Sequence, residues 1–125
     1  MRKILLFATL ISLMAFSCEK EGCMPSNTCG VTNPTEELGW LKAEIADREQ
    51  RTSDFNKYFY IQQAEYNGQT IFIYSNCCPM CNTIVPVYNC QGELLFYLNQ
   101  DPEKDKEIKS EKVVWKPADF ACAKN

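Results

Sequence analysis

The chain has 125 residues with 13 basic and 16 acidic side chains, a net charge of −3 and no basic patch, which argues against nucleic acid as a partner. It contains no histidine, so the usual general base, the Ser-His and Cys-His nucleophile pairs and the commonest metal ligand are missing together. Eight cysteines are far above ordinary use and predict disulfides formed in an oxidising compartment.

In chain order, Met1-Arg2-Lys3 is a short basic start, and the thirteen residues from Ile4 to Phe16 contain no charge, glycine or proline. That is the length of a signal-peptide core, whereas a bilayer-spanning helix needs roughly 20 apolar residues. A buried core helix is the structural alternative, and the position and basic start favour the signal. Ala15-Phe16-Ser17-Cys18 resembles a lipobox, the cleavage motif of bacterial lipoproteins, although Ala15 and Phe16 depart from its strictest form. The resemblance implies cleavage before Cys18 and covalent diacylglycerol plus an N-acyl chain on that cysteine. Several chains make a firm anchor, because each buried CH₂ contributes about 0.8 kcal/mol. Plain secretion with a coincidental cysteine is the alternative. Glu19-Lys20-Glu21 resembles the acidic export signal of some surface lipoproteins, which implies an outward-facing position in the outer membrane; in lineages that use a retention rule acidic residues here have other meanings, and a periplasmic position is the alternative. Cleavage after Ser17 leaves 108 of the 125 residues and, by removing Arg2 and Lys3, takes the charge from −3 to −5. That is enough chain for one domain.

Residues 18–33 are polar and turn-rich and read as a lipidated tether, either disordered or stapled by a local Cys23–Cys29 bridge. Residues 34–125 read as the single folded domain. Asn33, Pro34 and Glu36 form a helix start, and Leu38, Leu41 and Ile45 recur at helical spacing near Trp40, predicting a helix to about Arg51. Tyr58–Tyr66 and Gln69–Ser75 are aromatic and β-branched with Asn67-Gly68 between them, the strongest short hairpin signal. A second hairpin is expected from Ile84–Asn89 and Glu93–Leu98, turning at Gln91-Gly92. Asp101–Lys112 is charged and reads as a solvated loop or short helix, and Val113-Val114-Trp115 as a last short strand before Pro117.

With Cys18 assigned to lipid, seven cysteines remain: Cys23, Cys29, Cys77, Cys78, Cys81, Cys90 and Cys122. Structural disulfides with one thiol left over are the favoured reading. Neighbouring Cys77 and Cys78 point apart and should reach different partners, with Cys90 and Cys122 the natural candidates. The sharper reading is redox chemistry at Cys78-Pro79-Met80-Cys81, with Cys78 as nucleophile and Cys81 as resolving thiol on a helix N-terminus. Pro86 resembles the proline in the helix behind a thioredoxin active site. Against it, only 44 residues follow Cys81, too few to complete that fold, and Ile84–Tyr88 is β-branched. A third reading places Cys77, Cys78, Cys81 and Cys90 around zinc or an iron–sulfur cluster; the spacing is irregular, and no metal is expected.

From Tyr60 through Phe96 the sequence resembles a family of small bacterial lipoproteins whose cysteine-pair domain has no assigned activity. The resemblance rests on Glu65-Tyr66-Asn67-Gly68-Gln69 leading into an aromatic strand, on the Cys77-Cys78 pair, and on Val87-Tyr88-Asn89 before Gly92. Asp119-Phe120 and Cys122 stand near the C-terminus in a changed order. The chain departs from that pattern in having Cys81, in lacking a glycine-rich stretch after the second hairpin, and in placing Leu95-Phe96 where a cysteine is common. The resemblance implies a fold and a location, and no activity.

The expected architecture is therefore α+β: one N-terminal helix packed on a four- to five-stranded antiparallel meander sheet and stapled by disulfides. The expected role is a non-enzymatic envelope or surface module, partnered by the membrane through its lipid and by a protein, peptide or glycan. A thiol–disulfide oxidoreductase using Cys78 and Cys81 is the alternative. Tyr58, Tyr60, Tyr66 and Tyr74 are candidates for a binding surface, against the commoner reading of strand aromatics as core.

Overall fold

The computed structural model describes residues 29–123, and Cys18, Cys23 and the signal segment lie outside the described residues. The elements are α1 (Pro34–Glu37), α2 (Gly39–Gln50), a 3-10 turn (Asn56–Tyr58), β1 (Phe59–Tyr66), β2 (Gln69–Asn76), β3 (Pro86–Tyr88), β4 (Leu94–Tyr97), α3 (Pro102–Lys106) and β5 (Lys109–Trp115). This is an α+β fold with one main helix on a five-stranded antiparallel sheet, crosslinked by disulfides.

The helix predicted as continuous from Pro34 is broken at Leu38, which is extended (φ −83°, ψ 106°). In an unbroken helix Leu38 and Trp40 would stand about 200° apart, on opposite faces, since each residue turns by about 100°. The break lets both pack against the core that buries Leu41. Asn33 precedes the helix as expected but caps it differently. Its side chain accepts from the Thr35 hydroxyl at 2.9 Å, and the Glu37 carboxylate returns to accept from the Asn33 N–H at 2.8 Å.

The Asn67-Gly68 turn closes β1 on β2 in register from Tyr66–Gln69 to Phe59–Asn76. Both turn residues have positive φ (49° and 72°), the conformation a two-residue hairpin of this twist demands. Strand β2 is buried continuously from Thr70 to Ser75 because both faces of the sheet are covered at its centre. On one face Phe72 and Tyr74 pack with Ile61 and Leu41, closed over by Ile45 and Trp40 of α2. On the other, Ile71 and Ile73 pack with Ala64 and Val87 under Tyr66, Phe96 and Ile108. Alternation along each strand divides its side chains between these two cores.

The first four strands run as a meander, and β5 then returns to the far edge, giving the order β4-β3-β2-β1-β5. The last strand is longer than Val113–Trp115, because Lys109–Lys112 of the charged stretch joins it. Its register against β1 is interrupted between Ile61 and Gln62 and between Gln63 and Glu65. Exposed Lys109, Glu111 and Lys112 on that edge oppose pairing with another chain. The earlier part of the charged stretch forms α3, begun by Asp101, whose carboxylate accepts from the Glu103 N–H at 3.2 Å, and by Pro102.

Of the aromatics proposed for a surface, Tyr74 is in the core, Tyr66 packs on Phe96 at 5.0 Å between ring centres and Tyr60 on Phe120 at 5.6 Å. They serve packing, as alternating strand aromatics usually do, and do not form a shared exposed surface. No described helix is long and apolar enough to cross a membrane.

Candidate functional site

The cysteines concentrate at two places, the start and the end of β2. At its end, Cys77 donates its N–H to the Tyr58 carbonyl at 3.1 Å, continuing the β1 pairing by one residue. The Asn76 side chain then accepts from the Cys78 N–H at 2.6 Å, which turns the chain out of the sheet. Cys78 to Cys81 makes a tight turn, with the Cys81 N–H on the Cys78 carbonyl at 3.4 Å, and residues 82–85 run irregularly into β3. Cys78 and Cys81 are bonded to each other, with Cα atoms 5.3 Å apart. Cys77 bonds Cys122 instead, Cα atoms 5.8 Å apart. The C-terminal tail lies beside it because the Ala121 N–H reaches the Lys57 carbonyl at 2.9 Å and Phe120 packs edge-on against Tyr60.

At the start of β2, Cys29 bonds Cys90 with Cα atoms 5.4 Å apart. The expected Cys23–Cys29 bridge is thereby overturned: Cys29 packs against the Leu41 core, so the fold reaches back into the stretch read as tether. Trp40 donates its indole N–H to the Cys90 carbonyl at 2.8 Å and packs edge-on against Phe72. Gly92 sits directly beneath the indole with φ +77°, and a Cβ there would come within 2.7 Å of the ring. Glycine at 92 is thus required twice, by the turn and by the close approach of Trp40.

Cys77 and Cys78 do reach different partners, as their adjacency requires. Cys90 and Cys122 do not both serve that pair, however, since Cys90 goes to Cys29 and Cys78 bonds locally. All six described cysteines are paired, so the expected spare thiol is not among them. The four sulfurs considered for a metal are divided among three bridges, and no group of three or more potential ligands gathers among the described residues. Nor does the thioredoxin arrangement form: Cys78 follows a strand, Cys81 begins no helix, and Pro86 opens β3. The β-branched run from Ile84 and the turn at Gly92 send the chain into a hairpin where that fold needs a helix.

The bridges differ in the chain they close. Sequence separations of 61 and 45 each correspond to about 4 kcal/mol of lost unfolded-state entropy, and a separation of 3 to about 2 kcal/mol. Their surroundings differ too. Met80, between Cys78 and Cys81, is 91% exposed, and Ile84 shortly after is also exposed.

Two further features were missed at the level of sequence. Arg48 is buried, pairs with Glu44 at 2.7 Å and places its guanidinium 4.9 Å from the Tyr74 ring centre and 5.2 Å from Phe59. Its signal was spacing: Arg48 continues the Leu41, Ile45 stripe on the core-facing side of α2. Burial pushes the Tyr74 hydroxyl well above the usual tyrosine range and raises Tyr88 as well, with Glu44 nearby adding to both. The second feature is a polar cleft of about 460 Å³ between the end of α2 and the C-terminal tail, lined by Ser53, Asp54, Lys57, Lys116 and Asp119 among others. No sequence motif marks it, since its walls come from segments some sixty residues apart. Comparison with family models, with curated proteins and with solved structures finds no match to this chain.

Proposed function

We propose that the protein is a lipid-anchored module of the bacterial cell envelope, held in the outer membrane through diacylglycerol and an N-acyl chain on Cys18. Its role is a non-enzymatic one, binding a protein, peptide or glycan or contributing structure. The observation that carries the export part of this reading is the pairing of all six described cysteines in three disulfides, a density that belongs to proteins of oxidising compartments, while the lipid anchor rests on the sequence around Cys18. The basic start, the apolar run and the lipobox-like Ala15-Phe16-Ser17-Cys18 supply the same direction from the sequence. The polar cleft beside the tail suits a hydrated, hydrogen-bonding ligand better than an apolar one, in keeping with a peptide or glycan.

The test is expression of the wild type and of Cys18→Ala in a Gram-negative host, followed by membrane fractionation and intact-mass analysis. The wild type should be recovered in membranes with acyl chains on Cys18, and the variant should be released. A variant that stays in the membrane fraction, or a wild type whose Cys18 carries no lipid, defeats the proposal.

A further inference from the structure

We propose that Cys78–Cys81 is a site of reversible thiol–disulfide exchange, opened by an external dithiol protein while Cys29–Cys90 and Cys77–Cys122 stay closed. The inference comes from what else holds each pair of sulfurs together. Cys29, half-buried, packs against the Leu41 core, and Cys90 is tied to Trp40 through its carbonyl. Cys77 is bonded to Tyr58, and the tail bearing Cys122 is fixed by the Ala121–Lys57 bond and by Phe120 on Tyr60. If either of these bridges is attacked, the fold keeps the displaced sulfur beside the mixed disulfide, and it returns to expel the attacker.

Cys78–Cys81 lacks that support. Among the described residues its backbone contacts are the Asn76 side chain on the Cys78 N–H and a 3.4 Å turn bond inside the ring itself, with the Thr83 hydroxyl on the Cys81 carbonyl at 3.4 Å. The ring follows the end of β2 with Pro79 and Met80 exposed and Cys78 and Cys81 half-buried, so solvent reaches the turn that the bridge closes. Met80 and Ile84, exposed by 91% and 64%, give a dithiol protein an apolar surface beside the bridge.

A thiolate of the partner dithiol attacks one sulfur of the bridge, the Cys78–Cys81 bond breaks, and the other cysteine leaves as a thiolate that takes a proton. The partner's second thiol then attacks the mixed disulfide, releases the first cysteine and leaves the partner oxidised, two electrons having passed to the bridge. The reverse sequence closes it. Among the described residues Cys78 is not at a helix N-terminus, so it lacks the helix dipole that activates an attacking thiolate in dithiol catalysts. This chain is therefore the substrate of the exchange and the partner is its catalyst.

The experiment titrates the purified full chain with dithiothreitol, quenches with acid and an alkylating reagent, and maps each cysteine by mass spectrometry. Cys78 and Cys81 should become alkylated at a reductant concentration about tenfold or more below that which opens the other two bridges, and should re-form the same pair on reoxidation. Opening of Cys29–Cys90 or Cys77–Cys122 at the same or lower concentration overturns the proposal, and so does reoxidation to a different pairing. In a Cys78→Ser/Cys81→Ser variant the low-concentration thiols should vanish. Low-concentration labelling of Cys29, Cys77, Cys90 or Cys122 in that variant also defeats it.

Discussion

The two ends of β2 carry disulfides in opposite circumstances. At one end Cys29–Cys90 sits beneath Trp40, with Gly92 under the indole and the Leu41 core behind. At the other, Cys78–Cys81 closes a ring of its own making on an exposed turn. The first bridge joins segments that the sheet and helix also hold, so its sulfurs are part of the packing. The second joins residues already neighbours in sequence. A C-x-x-C spacing thus tells little by itself; what surrounds the sulfurs decides whether a bridge supports the fold or merely rides on it.

The sharpest way to break the contrast is to remove each bridge. A Cys29→Ala/Cys90→Ala variant should lose about 4 kcal/mol of unfolding free energy, measured by urea denaturation under non-reducing conditions. It should also loosen Trp40, seen as a red-shifted and more quenchable tryptophan emission. The Cys78→Ser/Cys81→Ser variant should lose no more than about 2 kcal/mol and leave the emission unchanged. Equal losses for the two variants would erase the distinction between the ends of the strand.

A smaller effect is expected from the core beside Trp40, where Tyr74 and Tyr88 pack together. Tyr74 and Tyr88 have their hydroxyl pKa raised by burial. Above about pH 10 an unfolded tyrosine releases its proton while the buried one keeps it, so the unfolded state binds fewer protons and stability falls as pH rises. This contribution is fully present below pH 10 and is progressively lost above it. Tyr74→Phe should flatten the decline in denaturation midpoint above pH 10; an unchanged slope would mean that Tyr74 is not the titrating group.

Much of the local structure was legible. Asn67-Gly68 declared its hairpin because few residues accept positive φ twice in succession, and the strand residues around it followed by alternation. The charged stretch was half legible: Asp101-Pro102 begins a short helix as its chemistry suggests, but Lys109–Lys112 enters β5 because β1 offers an unpaired edge there. The site was less legible. Adjacency of Cys77 and Cys78 demanded separate partners, yet spacing could not choose among them, and the local bridge to Cys23 expected for Cys29 gave way to the distant Cys90. Arg48 was hidden for a different reason: composition marks arginine as surface, while the aromatic rings of Phe59 and Tyr74 that receive it come from the sheet.

By itself the sequence determined the α+β class, the two hairpins, the helix start and the presence of a disulfide framework. Each of these depends on the conformational preferences of neighbouring residues or on composition. Only the tertiary structure decided that β5 lies beside β1, that the helix breaks at Leu38 so that Trp40 can cover Gly92, and which cysteines meet. Those outcomes depend on distances between segments far apart in the chain, and such distances are set when both faces of β2 are buried together.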